Sequence, residues 1–204
     1  MKKRRIVVGI SGATGVIYGV RLLEVLARTN VETHLVLTHP GRRNIELETD
    51  WKVADVERLA SCVHDVENIA ASIASGSFLT EGMAVVPCSM KTLSGIVHSY
   101  NENLLNRAAD VALKERRRLV LLPRETPLHK GHLELMLKAA DLGAMILPPM
   151  VAWYHRPTTV QEIIDQTVGK VLDAFGVEHH LYRRWEGAEP SPPPPKPALR
   201  VARA

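Results

Sequence analysis

Cysteine, aromatic residues and long apolar runs are scarce in this chain. Two of the 204 residues are cysteine, Cys62 and Cys88, and 4% are aromatic. Two cysteines this far apart in the sequence indicate neither a disulfide framework nor a cluster with metal-ligand spacing. No apolar run reaches the length of about 18 residues that a membrane span needs, and the basic start leads into a strand rather than a signal peptide. We therefore expect a cytoplasmic protein without membrane contact.

The excess of positive charge is also small. The formal net charge is +4, and part of it comes from basic residues near the C-terminus. An excess this small and scattered does not indicate nucleic-acid binding, and it suits an anionic small molecule equally well. Several histidines lack metal-ligand spacing, namely His129, His132, His155, His179 and His180. We predict no metal and no nucleic-acid partner.

Short unbroken apolar runs alternate with helical patterns along the chain. Three runs end in proline, in the segments VVPCS, LLPRE and ILPPM. Because proline cannot continue a central strand, each strand is expected to stop there. This alternation predicts a parallel sheet covered on both faces, whose strand ends meet at one edge. Residues 1–186 are expected to form a single domain, and the proline-rich residues 187–204 a disordered tail.

The region after the second predicted strand is less regular. The breakers Thr38, His39, Pro40 and Gly41 are expected to separate that strand from a helix over residues 42–47. Residues 51–75 are predicted to be irregular or weakly helical, with one short strand near Cys62.

Residues 4–15 combine an apolar strand, a glycine-rich turn and the start of a helix. The glycines Gly9, Gly12 and Gly15 are spaced G-x-x-G-x-x-G, which differs from the dinucleotide fingerprint. Such a turn lets the backbone approach an anion, and the helix N-terminus adds a partial positive charge. Ser11 and Thr14 add hydroxyl donors. The alternative is a tight turn with a capping hydroxyl, but we favour a ligand site.

Two further strand ends carry polar side chains. Ser89 and Thr92 can bind a phosphate or a flavin ring, or they can simply cap the next helix. Arg124 and Glu125 can clamp a phosphate and exchange protons, or they can form a surface ion pair. Cys88 is a candidate nucleophile, although a small buried residue is the simpler interpretation.

Two cations on a predicted helix and one acidic residue complete the candidates. Arg107 and Lys114 lie seven residues apart and share a helix face, which points to solvent or to a phosphate. Glu48 is a weaker candidate by itself, because acidic residues near helix ends are common.

An ordered set of motifs resembles the UbiX-like flavin prenyltransferases. The set is SGATG, ELETD, PCSMKTL, NRAADVALKE, LVLLPRETPL, HLELMLK and WYHRP. The segments ELET, SGSF and PCSMKT are similar to the branch associated with phenolic and hydroxyaryl acid decarboxylases. The resemblance extends from about residue 6 to residue 185. It implies a flavodoxin-like, three-layer, doubly wound α/β fold in a homo-oligomer, typically a dodecamer.

The resemblance also implies an activity. Members transfer a dimethylallyl group from its monophosphate to reduced FMN, bonding first at flavin N5 and then closing a ring at C6. The product is prenylated FMN, the cofactor of UbiD-type decarboxylases, and the transfer needs no metal. Expulsion of phosphate from an allylic carbon needs positive charge around the leaving group, which agrees with the cations noted above.

Site residues are implied by the motifs that match. The flavin-binding set is Gly12, Ala13, Thr14, Thr38, Ser89, Met90, Lys91, Thr92 and Arg124. The catalytic set is Glu48, Glu125 and Thr14, with Glu125 expected to move the proton and Glu48 to position. The prenyl-phosphate set is Arg107, Lys114, Arg124, Tyr154 and Lys170. Lys170 stands where the family commonly has arginine. Lysine keeps the positive charge but lacks the planar guanidinium fork.

Two other functions remain open. An FMN-dependent cysteine decarboxylase would need a catalytic histidine beside the flavin, and we expect none in these turns. The second is an FMN-binding accessory subunit of an aromatic acid decarboxylase, without turnover. Against it stand the intact residues Glu48, Lys114, Arg124, Glu125 and Tyr154, which favour activity.

Overall fold

The computed structural model describes residues 4–185 and 187. Its strands are β1 (Arg4–Ile10), β2 (Val31–Leu37), β3 (Cys62–His64), β4 (Gly82–Cys88), β5 (Arg118–Pro123) and β6 (Met145–Ile146). Its helices are α1 (Val16–Leu26), α2 (His39–Glu48), α3 (Val53–Arg58), α4 (Met90–Val97), α5 (Leu104–Lys114), α6 (Lys130–Asp141) and α7 (Val160–Ala174). The predicted tail lies almost entirely outside the described residues, so the domain boundary at residue 186 stays a prediction.

The strands form one parallel sheet in the order β3-β2-β1-β4-β5-β6. The chain winds outward from β1 in one direction through β2 and β3, and in the other through β4, β5 and β6. Each strand of such a sheet has its carboxyl end on the same edge. The direction in which successive strands are added reverses between β1 and β4. The doubly wound, flavodoxin-like α/β fold is confirmed.

Alternate side chains of each strand enter two separate apolar layers. Ile6, Val8 and Ile10 pack with α1 and α7 on one face of the sheet. Val7 on the same strand packs on the other face with residues of α4 and α5, such as Leu105. Helices on both faces explain why the strands read as continuous apolar runs rather than alternating ones.

Two element boundaries differ from the sequence prediction. β4 continues through Pro87 to Cys88, with an irregular register against β5 between Val85 and Cys88. The expectation that proline stops this strand was therefore wrong by two residues. The irregular register accommodates the backbone N–H group that Pro87 lacks. α2 begins at His39 instead of residue 42, because Thr38 caps it and Pro40 occupies its first turn.

Helix α6 is amphipathic but buries little of its apolar surface. Ala139 is its buried residue, whereas Leu133 and Leu137 are 53% and 63% exposed. Met150 in the following loop is 74% exposed. Among the described residues, no helix combines the length and the apolar character needed to cross a bilayer.

Candidate functional site

Ser11 joins the ends of β1 and β4 at the carboxyl edge of the sheet. Its fully buried hydroxyl donates to the Pro87 carbonyl at 3.0 Å and accepts from the backbone nitrogen of Ser89 at 2.8 Å. The SGATG turn and the PCSMKT turn are thus held together at the reversal point of the strand order. Ser11 acts here as a structural bridge rather than as a ligand donor.

The N-terminus of α1 is already occupied by a carboxylate of the chain. Glu48, the last residue of α2, accepts from the backbone nitrogens of Gly15 at 2.7 Å and Val16 at 3.3 Å. Gly15 adopts the left-handed conformation with φ of 91°, which glycine does without strain. Because Glu48 satisfies these two N–H groups, a phosphate at this turn would have to use its other donors, and the expected phosphate contact stays a prediction.

Three other helix N-termini surround one cavity of about 340 Å³ at this edge. Thr38 caps α2 by accepting from Gly41, Ser89 caps α4 by accepting from Thr92, and Asn103 caps α5. We call this the cap cavity, and its lining is Gly12, Thr38, His39, Pro40, Val66, Glu67, Ser89, Lys91, Thr92, Glu102, Asn103 and Asn106. The partial positive charges of three helix N-termini suit an anionic ligand, and the lining carries Lys91 as well as the carboxylates Glu67 and Glu102.

Ser89 and Thr92 form a helix cap. The Ser89 hydroxyl accepts from the Thr92 nitrogen at 3.2 Å and donates to the Thr92 hydroxyl at 3.0 Å. This is the capping geometry that the sequence analysis gave as the alternative to ligand binding. Both residues also line the cap cavity, so the ligand role is compatible with capping and stays a prediction.

Gly12 cannot be replaced by a larger residue without displacing its neighbour. A Cβ atom built on Gly12 would lie 2.3 Å from Cβ of Pro40, far inside van der Waals contact. The SGATG turn and the start of α2 therefore approach each other closely because residue 12 is glycine. This approach shapes one wall of the cap cavity.

Asn106 brings a buried polar group to the cavity wall that the sequence analysis missed. Its side chain is 4% exposed, and its amide nitrogen donates to the Tyr100 carbonyl at 3.1 Å. Its Oδ1 atom has no hydrogen-bond partner within the described part of the chain. A buried acceptor without a partner is costly, so this oxygen is suited to an N–H or O–H donor of a ligand.

A second, apolar cleft of about 370 Å³ is lined by Met90, whose neighbours Ser89 and Lys91 line the cap cavity. Arg124 and Glu125 supply its charge, at the end of β5 where the sequence analysis placed them. We call it the apolar cleft, and its lining is Met90, Pro123, Arg124, Glu125, Thr126, Leu128, Leu133, Met136, Pro148, Pro149 and Met150. In the described residues no ion pair joins Arg124 to Glu125, and the Glu125 carboxylate accepts from the Thr126 nitrogen at 3.0 Å.

Tyr18 on α1 faces the same region. Burial raises the pKa of the Tyr18 phenol above its ordinary value, and the nearby Arg124 guanidinium acts in the opposite direction. The Tyr18 ring is therefore close enough to Arg124 to sense its charge.

Cys88 is fully buried, and burial raises the pKa of its thiol to about 12. A thiol held protonated in this way is no nucleophile, so the simpler interpretation of Cys88 is supported.

The cations assigned to the prenyl phosphate do not meet in one chain. α5 starts at the cap cavity and runs away from it, so Lys114 lies at the opposite edge, paired with Glu115 at 2.5 Å. Arg107 donates to the Ala74 carbonyl at 3.1 Å and to Asp110 at 3.0 Å. Arg107 therefore contacts its own chain through both hydrogen bonds.

Tyr154 and Lys170 line neither the cap cavity nor the apolar cleft. Lys170 is ten residues into α7, about 15 Å along its axis from Val160. Tyr154 lies in the loop before α7, edge-on to Trp185 at 5.8 Å, and lines a small cleft with Arg156 and Arg183. Their assignment to one phosphate site stays a prediction for an assembly of several copies.

His39 is a correction to the sequence analysis. It lines the cap cavity, with its ring 74% exposed and Nε2 3.4 Å from Glu67 Oε1. The expectation of no histidine in the flavin turns was wrong, because α2 begins earlier than its pattern indicates. Val66, Glu67 and Asn103 were also missed, since they follow β3 or precede α5 without a motif of their own.

Comparison with known proteins identifies the family. Residues 1–174 match the family model Flavoprotein. The flavin prenyltransferase UbiX of Escherichia coli is 58% identical over 188 residues, which cover 91% of this chain and all of the relative. This chain belongs to the UbiX-like flavin prenyltransferases.

Solved structures of this family have the same fold. A crystal structure of AnUbiX in complex with FMN and dimethylallyl pyrophosphate has a TM-score of 0.90 and 47% identity, covering 92% of this chain and all of that one. A dodecameric FMN-dependent UbiX-like decarboxylase from Escherichia coli has a TM-score of 0.88 and 51% identity. The match covers 90% of this chain and 100% of that one. The UbiX-like chain described here is therefore similar to these structures over nearly all of its described residues.

Proposed function

We propose that this chain is a flavin prenyltransferase that uses reduced FMN and dimethylallyl phosphate as substrates. Family membership at 58% identity supports the reaction class. The observation that carries the proposal in this structure is that the start of α4 contributes to two sites, since Ser89 and Lys91 line the cap cavity and Met90 lines the apolar cleft. The cap cavity is lined by the caps of three helix N-termini, and the lining of the apolar cleft includes Arg124 and Glu125.

The cap cavity is the proposed flavin site. Its helix N-termini at Thr38, Ser89 and Asn103 can hold the phosphate of FMN by N–H groups and dipoles. The Asn106 oxygen can accept from a donor of the flavin. The close approach at Gly12 leaves backbone instead of side chain against the ligand. Thr14, Ala13, Met90 and Lys91 complete the flavin-binding set as proposed by motif.

The apolar cleft is the proposed site of the dimethylallyl group. Leucine, methionine and proline side chains form most of its lining, which suits a five-carbon hydrocarbon. Arg124 lies where it can bind the phosphate and stabilise its negative charge as the C–O bond breaks. Glu125 is proposed to accept the proton that flavin C6 loses when the fourth ring closes.

Glu48 has a positioning role in this proposal. Its carboxylate holds the first turn of α1, which carries Gly15, next to the flavin turn at Gly12 and Thr14. Tyr18, three residues along the helix, then faces Arg124. Glu48 thus links the two ligand sites through the orientation of α1.

A homo-oligomer is proposed to complete the phosphate site. The exposed Leu133 and Leu137 on α6 form an apolar surface beside the apolar cleft, and a second copy can cover it. Because Lys114, Tyr154 and Lys170 line neither the cap cavity nor the apolar cleft, we propose that neighbouring copies supply them. The similar Escherichia coli structure is dodecameric, and we propose the same assembly here.

The product is proposed to be prenylated FMN, released to a UbiD-type decarboxylase in the cytoplasm. The deciding experiment is mass spectrometry of the flavin after anaerobic incubation with reduced FMN and dimethylallyl phosphate. We expect a flavin whose mass has increased by one dimethylallyl unit. A parallel incubation with the diphosphate tests the donor, because the similar AnUbiX structure contains dimethylallyl pyrophosphate.

Two alternatives give different results in the same assay. An accessory subunit would return bound but unmodified FMN. His39 at the cavity rim favours the other alternative, a cysteine decarboxylase. Such an enzyme would reduce oxidised FMN when given a peptide with a C-terminal cysteine. Flavin prenylation that persists in His39→Asn would exclude a catalytic role for this histidine in the transfer.

A further inference from the structure

Three metal-ligating side chains meet at the edge of the sheet, outside both proposed ligand sites. His34 lies on β2, and Cys62 and His64 lie on β3. The parallel register places His34 opposite Cys62, and Cys62 and His64 share one face of their strand. One ligand atom from each residue lies within 4.8 Å of the others. The sequence analysis missed this set because its members are separated by the chain between two strands.

We propose that His34, Cys62 and His64 bind a zinc ion. Nδ1 of His34 lies 2.9 Å from Nε2 of His64, which is 3.5 Å from Sγ of Cys62. Tetrahedral zinc with ordinary bond lengths separates two nitrogens by about 3.3 Å and nitrogen from sulfur by about 3.5 Å. The distance from His64 to the sulfur already fits, the two imidazole nitrogens need to separate by a few tenths of an ångström, and the His34 nitrogen lies within 4.8 Å of the sulfur. Three protein ligands leave the fourth position to water.

An outer carboxylate orients the buried histidine. Nε2 of His34 lies 3.0 Å from Oε1 of Glu32, which also pairs with Nε of Arg5 at 3.2 Å. A carboxylate at this nitrogen favours the tautomer that carries hydrogen on Nε2. Nδ1 of His34 then directs its lone pair at the proposed ion, an arrangement typical of zinc-binding histidines. The His34 ring is 4% exposed and packs edge-on against Phe78, which fixes its plane.

Metal binding sets the protonation state of each ligand, because an imidazole coordinates through a bare nitrogen and cysteine coordinates as thiolate. Without metal, one ring donates its hydrogen to the other. With metal, His64 carries its hydrogen on Nδ1, and Cys62 binds as thiolate. The thiol hydrogen is released as a proton, so binding is favoured by higher pH.

The ligand set selects the class of metal. One thiolate and two imidazoles suit zinc and related borderline or soft ions, whereas Mg²⁺ and Ca²⁺ require oxygen ligands. β3 has three residues and lies at the sheet edge, so a metal bridge to β2 would anchor it. Val66 and Glu67 follow β3 directly and line the cap cavity. The ion would therefore support one wall of that cavity.

The test uses the untagged full-length chain, freed of metal by dialysis against a chelator. Zinc affinity is measured by competition with a colorimetric chelator, and Co²⁺ serves as a spectroscopic probe. We expect one zinc per chain and a thiolate-to-cobalt charge-transfer band in the near ultraviolet. Cys62→Ser should abolish that band and weaken zinc binding by more than about 100-fold, and Glu32→Gln should weaken it by about 10- to 100-fold.

Matched variants control for the chemistry of each ligand. Cys88→Ala removes the other thiol, which is buried on a different strand, and His98→Gln removes an exposed histidine. Both should bind zinc like the wild type, and thermal denaturation should show that every variant is folded. Equal zinc affinity in wild type and Cys62→Ser, or no zinc binding at micromolar concentration, would overturn the proposal. The three residues would then be only a hydrogen-bonded cluster.

Discussion

The carboxylate of Glu48 lies 2.7 Å from the backbone nitrogen of Gly15 and accepts its hydrogen bond. This contact joins the end of α2 to the start of α1, across 33 residues of chain. It means that a residue expected to serve the reaction also closes a helix N-terminus. Removing Glu48 therefore has two consequences, and different substitutions can separate them.

Glu48→Gln and Glu48→Ala should both slow turnover, but only Glu48→Ala should lower stability. Glutamine keeps an oxygen that can accept from Gly15, whereas alanine loses the cap and about 1 kcal/mol of stability. Both should slow flavin prenylation, because both remove the charge. The measurements are denaturant unfolding and single-turnover rates. Full activity in Glu48→Ala would show that the carboxylate is dispensable for turnover, and unchanged unfolding would show that it is dispensable at the helix N-terminus.

Asn106→Ala should weaken FMN binding by about 10-fold, since it removes a buried acceptor that we assign to the flavin. The exposed Asn101 on the same side of the molecule provides a matched control. Asn101→Ala should bind FMN like the wild type in a fluorescence titration. Equal FMN affinity in Asn106→Ala, with the fold intact, would show that its oxygen faces solvent and not the ligand.

Glu125→Gln should retain FMN and the prenyl phosphate but lose turnover by about 10²- to 10⁴-fold. Glutamine has the size of glutamate and cannot exchange a proton at working pH. Glu134→Gln on α6 is the control, because that carboxylate is exposed and pairs with Lys130. If Glu125→Gln reacts at the wild-type rate but fails to hold the donor, Glu125 only orders the loop after β5.

Lys170→Ala should weaken binding of dimethylallyl phosphate and leave FMN affinity unchanged. Lys170→Arg should be tolerated or bind the donor more tightly, because the guanidinium fork matches phosphate. Since Lys170 lines neither the cap cavity nor the apolar cleft, the effect should depend on assembly. A titration with the donor, combined with light scattering, tests this. An active monomer would contradict a phosphate site shared between copies.

Asp173→Asn should lower the free energy of unfolding by about 2 kcal/mol at neutral pH. Burial by itself raises the pKa of Asp173, but hydrogen bonds from Arg184, Tyr182 and His179 outweigh it and the net pKa lies well below its ordinary value. The folded state therefore favours the charged form, so this stabilisation is present above about pH 4 and declines as the pH falls further.

Urea unfolding of wild type and Asp173→Asn across this acid range is the measurement. The difference in unfolding free energy should shrink below about pH 4. Asp141→Asn, an exposed aspartate at the end of α6, should show no comparable difference at any pH. A constant difference for Asp173→Asn down to strongly acid pH would show that its carboxylate charge contributes little.

The fold was predictable because its signals are local. Apolar runs of strand length alternate with helical periodicity, and this pattern by itself indicates a covered parallel sheet. The turns at Gly12, Ser89 and Arg124 follow strands directly, so their convergence at one edge is a consequence of parallel order. The motifs at those turns, read in sequence, also identified the family.

Tertiary structure decided what those turns contact. Glu48 and Gly15, Asn106 and the cap cavity, and His34 with Cys62 and His64 are each brought together from separate elements by packing and strand register. No local pattern encodes such distances, because they depend on which strands are neighbours and on where helices begin. Lys114 shows the converse, since its motif matches the family while the direction of α5 places it at the opposite edge of the sheet. Sequence thus determined the elements and the chemistry available, and three-dimensional packing determined which groups share a site.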